Sequence, residues 1–225
     1  PAGGVFNEVA ISAKGGDGDS TAGSGGTGGA GGALRFTTPD NGGTTDPART
    51  LVTNSGGIDV SSGAGDIGGA VGSVTMSAYG NLTNSGAITA RGGKGTTSGS
   101  VGGNVSLSSA INVVNSGGIV VTGGDGINGG IGGNGGTVTL KSGNQTSTAG
   151  IAANGGNSTA GTNPATIGGG GGTITLSSEY ALTLRSGLNV ARGNGGSGST
   201  NSPVNGFIFI DGVQMPTTLP ASGAI

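Results

Sequence analysis

Six times along the chain a glycine-rich tract runs directly into a short alternating triplet. The triplets are Leu34-Arg35-Phe36, Val74-Thr75-Met76, Val105-Ser106-Leu107, Val138-Thr139-Leu140, Ile174-Thr175-Leu176 and Phe207-Ile208-Phe209. A second series closes in glycine: Ile58-Asp59-Val60, Ile88-Thr89-Ala90, Ile119-Val120-Val121, Ile151-Ala152-Ala153 and Leu188-Asn189-Val190. Its first residues stand 30, 31, 32 and 37 positions apart. A third series, "LVTNSGG", "NLTNSGA", "NVVNSGG", "TSTAGI" and "LTLRSGL", leads into the next unit. Repeats of this length mark solenoids, in which a unit too small to bury its own apolar face buries it against the next.

Each unit reads as strand, glycine tract, strand, short turn, strand. The strands have apolar outer positions and a polar centre, the period-two pattern of one buried and one wet face. The expected fold is all-β, a parallel β-solenoid (β-helix) of about six coils with three short strands per coil. It forms one domain over residues 1–225. Residues 5–56 make an N-terminal coil with its insert, 57–187 the regular repeats, and 188–225 a C-terminal coil and tail. The expected inward ladders are Val74, Val105, Val138 and Ile174, with Met76, Leu107, Leu140 and Leu176. Thr75, Ser106, Thr139 and Thr175 form the expected outward rank, interrupted at its ends by Arg35 and Ile208.

The glycine tracts admit two readings. Gly129-Gly130-Ile131-Gly132-Gly133-Asn134-Gly135-Gly136-Thr137 has a strict period of three, as does the run from Gly25 to Ala33. Three residues per turn is polyproline-II geometry, which puts every third side chain on one side and leaves bare backbone on the others. The tracts then pack as polyglycine-II-like strands held by weak Cα–H···O contacts. The competing reading is a set of flexible loops, because glycine loses the most entropy on ordering. Wholesale disorder is excluded: 58 of 225 residues are Gly, but only 8% are charged and β-branched residues are plentiful. Collagen is excluded by 7 prolines and a broken period.

Composition removes several classes of function. No Lys/Arg cluster offers a footprint for nucleic acid, and no apolar run approaches a bilayer-spanning length. Without an initiating Met or a signal peptide, the chain reads as a mature or excised segment. His and Cys are absent, and the aromatics are only Phe6, Phe36, Phe207, Phe209, Tyr79 and Tyr180. "GGDGD" (Gly15 to Asp19) and "GGDG" (Gly123 to Gly126) suggest calcium-binding nonapeptides. A carboxylate must recur in register for that, and the equivalent corners carry Lys94, Asn157 and Asn194. "GGKGTTSG" (Gly92 to Gly99) lacks the spacing of a phosphate loop. Asp40, Asp46, Asp59, Asp66 and Asp211 are scattered, so no catalytic, cofactor or metal site is expected, and no enzyme activity. Asn81, Asn104, Asn144 and Asn157 begin N-glycosylation sequons.

Over residues 51 to 190, segments such as "VVNSGGIVVTGGDG…GGTVTLKS" and "LTNSGAITARGGKG…GGNVSLSS" resemble the repeats of filamentous-haemagglutinin-type exoproteins and kindred surface β-helices. The resemblance rests on an Asn-x-Gly turn, an Ile-x-Ala strand, a Gly-Gly corner and a Val-x-Leu strand. It implies a β-helix at an extracellular or cell-surface location. The long glycine inserts depart from that family's tight corner.

The expected function is structural: a subunit of an extracellular filament or surface matrix that self-assembles head to tail into a homopolymer. A stalk segment of a secreted adhesin is the alternative, and an ice- or glycan-binding solenoid, with surface glycans as partner, is a third. The expected subunit interface comprises Val5, Phe6, Val9 and Ile11 at one end, and Phe207, Ile208, Phe209, Ile210, Val213 and Met215 at the other. Consecutive strand residues point to opposite sides, so two of the four residues Phe207 to Ile210 must face something other than the core. The tail from Val213 to Ile225 is expected to dock on the Val5 to Ala13 edge of the next copy.

Overall fold

A computed structural model describes residues 3–38, 50–159, 167–196, 203–220 and 223–224. Every regular element among them is a β-strand. Coil 1 comprises β1 (Val5–Asn7), β2 (Ile11–Ser12) and β3 (Ala33–Thr37). Coil 2 has β4 (Val52–Asn54), β5 (Ile58–Asp59), β6 (Gly65–Ile67) and β7 (Ser73–Ala78), and coil 3 has β8 (Leu82–Asn84), β9 (Ile88–Thr89), β10 (Gly95–Ser98) and β11 (Asn104–Ser109). Coil 4 has β12 (Asn112–Asn115), β13 (Ile119–Val120) and β14 (Thr137–Ser142). Coil 5 has β15 (Gln145–Thr148), β16 (Ile151–Ala152) and β17 (Thr173–Ser178), and coil 6 has β18 (Ala181–Leu184), β19 (Leu188–Asn189) and β20 (Phe207–Ile210).

The first strands of all coils form one sheet, the second strands another and the last strands a third, each six strands deep and parallel. The four coils that open with β4, β8, β12 and β15 have parallel neighbours on both sides. The chain is therefore a parallel β-solenoid. Register follows the apolar pattern: Val74, Val105, Val138 and Ile174 align, as do Met76, Leu107, Leu140 and Leu176. Ile58, Ile88, Ile119, Ile151 and Leu188 stack likewise. These ladders meet in one core that excludes water almost completely. Each such side chain contributes roughly 1.5–3 kcal/mol of burial, which two- and three-residue strands could not collect singly.

One expectation is corrected by a single residue. Ile208, not Phe207, pairs with Ile174, and Ile210 pairs with Leu176. The last triplet is thus Ile208-Phe209-Ile210. A one-residue slip exchanges the two faces of a strand, so Ile208 lies in the core and Phe209 ends the outward Thr75 rank.

A polar column runs through this core. Asn7, Asn54, Asn84 and Asn115 are buried at the end of the first strand of their coils. The amide of Asn54 donates to Oδ1 of Asn84 (2.6 Å) and to the Gly56 carbonyl (2.9 Å), and Asn84 repeats this toward Asn115 and Gly86. Asn115 hands the column on to the Thr148 hydroxyl (3.2 Å). Each amide closes its own turn while tying one coil to the next, so neither donor proton is left buried without a partner.

Between its second and last strands each coil makes a glycine-rich excursion, an outgoing arm and a returning arm, and these stack beside the sheets as a lobe. In the outgoing arm Gly16, Gly63, Gly93, Gly124, Gly156 and Gly193 occupy equivalent places, and a Cβ on any of the last five would fall within 3.0 Å of the carbonyl of the glycine one coil below. The returning arm has a matching column of Gly69, Ser100, Gly133 and Gly169. Hydrogen bonds zigzag between the two: Gly124 N–H to Ser100 O, Gly133 N–H to Gly124 O, Gly156 N–H to Gly133 O, Gly169 N–H to Gly156 O and Gly193 N–H to Gly169 O, each 2.8 Å. Gly123, Gly126, Gly132 and Gly135 donate instead to the coil above, so donor direction recurs every third residue. Among the described glycines only Gly23, Gly25, Gly129 and Gly212 have positive φ. Elsewhere in the lobe glycine serves as a residue without Cβ, which lets backbones approach side by side.

Candidate interaction surfaces

The two ends of the stack differ. After coil 6 the chain reverses at Asp211-Gly212, both with positive φ (48° and 81°). That is the pairing a two-residue type I′ hairpin demands, because its twist matches the flanking strands. The reversed tail forms β21 (Val213–Met215), β22 (Thr218–Leu219) and β23 (Gly223–Ala224), which pair antiparallel with β20, β19 and β18. Met215 and Leu219 pack on the top of the core. The expectation that the tail docks on a second copy is corrected: its described strands pair with the chain's own last coil.

At the opposite end the outer edges of β1, β2 and β3 have no strand partner among the described residues. Val5, Ile11, Leu34 and Phe36 point inward but are only partly covered, whereas their counterparts in the coils above are buried. Phe6 is 56% exposed and Val9 68%. Of the expected interface residues, Val5, Phe6, Val9 and Ile11 therefore gather on this edge. At the far end Ile208 and Ile210 belong to the core and cannot form a surface. Phe207 and Phe209 stack on each other outside it, ring centroids 6.1 Å apart. Val213 is exposed on the cap, and Met215 is half-buried beneath it.

The outward face of the last sheet carries three adjacent polar ranks rather than the single one expected, the third being Ser77, Ser108, Lys141 and Ser177. Beside Thr75, Ser106, Thr139 and Thr175 lie Ser73, Asn104, Thr137 and Thr173 in the same register. Arg35 and Phe209 end the first rank, Ala33 and Phe207 the second. The lobe is also two-faced. Side chains leave it every third residue, and those of the outgoing arms include Lys14, Asp17, Arg91, Lys94 and Asp125, with Lys94 and Asp125 3.5 Å apart. The returning arms project Ile67, Val101, Ile131 and Val204, all exposed.

Each described aspartate accepts a backbone N–H. Asp17 accepts the Ala64 N–H, Asp59 the Ser61 N–H, Asp125 the Asn157 N–H and Asp211 the Ser178 N–H. The Thr21 N–H holds the Asp19 carboxyl below its usual range. Asp66 stands at the tip of the second excursion and ties three coils. Its carboxylate accepts the hydroxyls of Thr96 and Thr97 (2.7 Å each) from the coil above and the Gly25 N–H (2.9 Å) from the coil below. Those bonds lower its pKa to about 2, the Thr96 hydroxyl first. No group of three or more potential metal ligands occurs among the described residues. Asp40 and Asp46 lie outside them.

The buried Asn column was missed in the sequence. Its signal was available: Asn54, Asn84 and Asn115 recur at one register, each two residues before a glycine. The same holds for the cap, because Asp-Gly between Ile210 and Val213 is a strong hairpin dipeptide. No protein-family model, curated protein or solved structure matches this chain.

Proposed function

We propose that this protein is a non-catalytic structural subunit of an extracellular filament or surface matrix, assembling end to end with the axis of the solenoid along the fibre. The lobe then acts as a polyglycine-II-like layer that runs on through the junctions. The observation that carries the reading is Gly16. It heads the column in which every later glycine is required by the carbonyl below it, yet a Cβ on Gly16 would have nothing within 4 Å, and its φ is not positive. The isolated chain has no steric or conformational need for glycine there. A second copy beneath coil 1 supplies the need, because its Gly193 carbonyl would take the place that Gly16 O takes beneath Gly63. The partly covered Val5, Ile11, Leu34 and Phe36 point to the same junction.

Gly16→Ala tests this. It should leave the fold unchanged or stabilise it by about 0.5 kcal/mol through the unfolded state, while raising the concentration needed for filaments seen by electron microscopy and sedimentation. Wild-type protein that stays monomeric at high concentration, or a variant that polymerises as well as wild type, refutes the reading. The alternative, a stalk segment of a filamentous-haemagglutinin-type adhesin, is favoured by the same open edge of coil 1, where further coils of one chain would stack equally well. An ice- or glycan-binding role draws support from the adjacent hydroxyl-rich ranks.

A further inference from the structure

We infer that β21–β23 form a displaceable cap, holding in the isolated chain the place that coil 1 of a second copy takes in the filament. The inference rests on the filament reading and says how assembly is restrained. Three features of the upper end support it.

First, coil 6 already presents the surface that coil 1 fits. Ile208 and Ile210 continue the ladders of Leu34 and Phe36, and Leu188 that of Ile11. Leu182 continues the ladder of Val5, and Leu184 would meet Asn7 as it now meets Thr148, a polar neighbour it already accommodates. Coil-on-coil stacking recurs through the whole chain, so the junction only extends an existing interface. A face that continues in this way commits to one occupant, a second copy.

Second, the cap is the weaker partner. It offers strands of three, two and two residues, reversed against a parallel edge, where coil 1 offers three, two and five in the parallel sense. Among the described residues of the cap, only Met215 and Leu219 pack on the core. Third, the cap leaves the lobe uncovered: none of its backbone bonds among the described residues reaches residues 191–206. Coil 1 carries its own pair of glycine arms and would cover both.

Asn189 and Thr218 are paired across β19 and β22, and the chain contains no cysteine. The double variant Asn189→Cys, Thr218→Cys therefore gives one full-length protein with the cap locked when oxidised and free when reduced. The oxidised form should remain monomeric. The reduced form should assemble into filaments whose axial repeat is about 29 Å, six rungs of about 4.8 Å. A second full-length variant, Leu219→Asp, loosens the cap without touching the ladders of coils 1 to 6, and should lower the concentration for assembly about tenfold, or ~1.4 kcal/mol. If the oxidised form assembles as readily, with a repeat of about 34 Å because a seventh rung stays in place, displacement is overturned while the filament reading stands. If wild type and the reduced double variant remain monomeric at high concentration, both fall.

Discussion

A single side-chain amide does three jobs at Asn84. It accepts from Asn54, donates to Asn115 and donates to the Gly86 carbonyl that closes its own turn. Asn84→Ala leaves three buried polar groups short of a partner, which should cost about 2–4 kcal/mol in denaturant unfolding. Thr83→Ala, one residue away on the outward face, should change stability by no more than about 0.5 kcal/mol. Equal effects would mean that the column is incidental. Gly124 makes the opposite demand, for the absence of a group. A Cβ there overlaps the Gly93 carbonyl, which cannot move without disturbing the next coil down. Gly124→Ala should therefore lower stability by about 1–3 kcal/mol, although alanine normally gains over glycine through the unfolded state. A neutral result would show that the lobe yields locally. Both residues were visible in the sequence as a recurring letter, but their roles were not. Periodicity shows which positions are equivalent and says nothing of what stands beside them.

At the scale of elements, the strands were legible and their ends were not. The three repeating series located the stacked strands of coils 2 to 6, because inward positions repeat the same residue types coil after coil, but not β6 and β10 in the excursions or β21 to β23 as a cap. The last strand misled because Phe207 to Ile210 are all apolar. With no polar residue to mark the wet face, the two registers differ only in which pair meets the core. The stack decides it through Ile208 on Ile174 and Ile210 on Leu176. Ile208→Asp, which looks like a junction mutation from sequence, would bury a charge in the core. The tips of the excursions were equally opaque, since Asp66 gains its meaning from Thr96, Thr97 and Gly25 in two other coils. Its pKa falls from 3.8 to about 2 on folding. A lowered carboxylate pKa contributes stability that is complete above the unfolded value and is lost as pH drops through the folded one. Thermal unfolding should accordingly show an acid-side loss between about pH 4 and pH 2, which Asp66→Asn removes. An unchanged acid limb in the variant would assign that loss to other carboxylates.

For the molecule as a whole, fold class followed from the repeat, because only stacking can bury faces so small. The ends of the stack followed less well: the open lower edge was foreseen, and the self-capped upper edge was not. The period of three in the lobe also sets a rule for how such a chain can change length. Among the described residues the excursions differ mainly at their tips, from Asp66 alone between Gly65 and Ile67 to eight residues, 19–26, between Gly18 and Thr27. Tips can grow by any number, since nothing stacks on their outer side in a fixed frame. The arms cannot. One or two residues inserted into an arm would rotate every later side chain into the glycine columns. Three would keep the frame and lengthen the arm by one turn, about 9 Å. The lobe thus has a reading frame of its own, in which a triplet of residues is the smallest heritable unit of width.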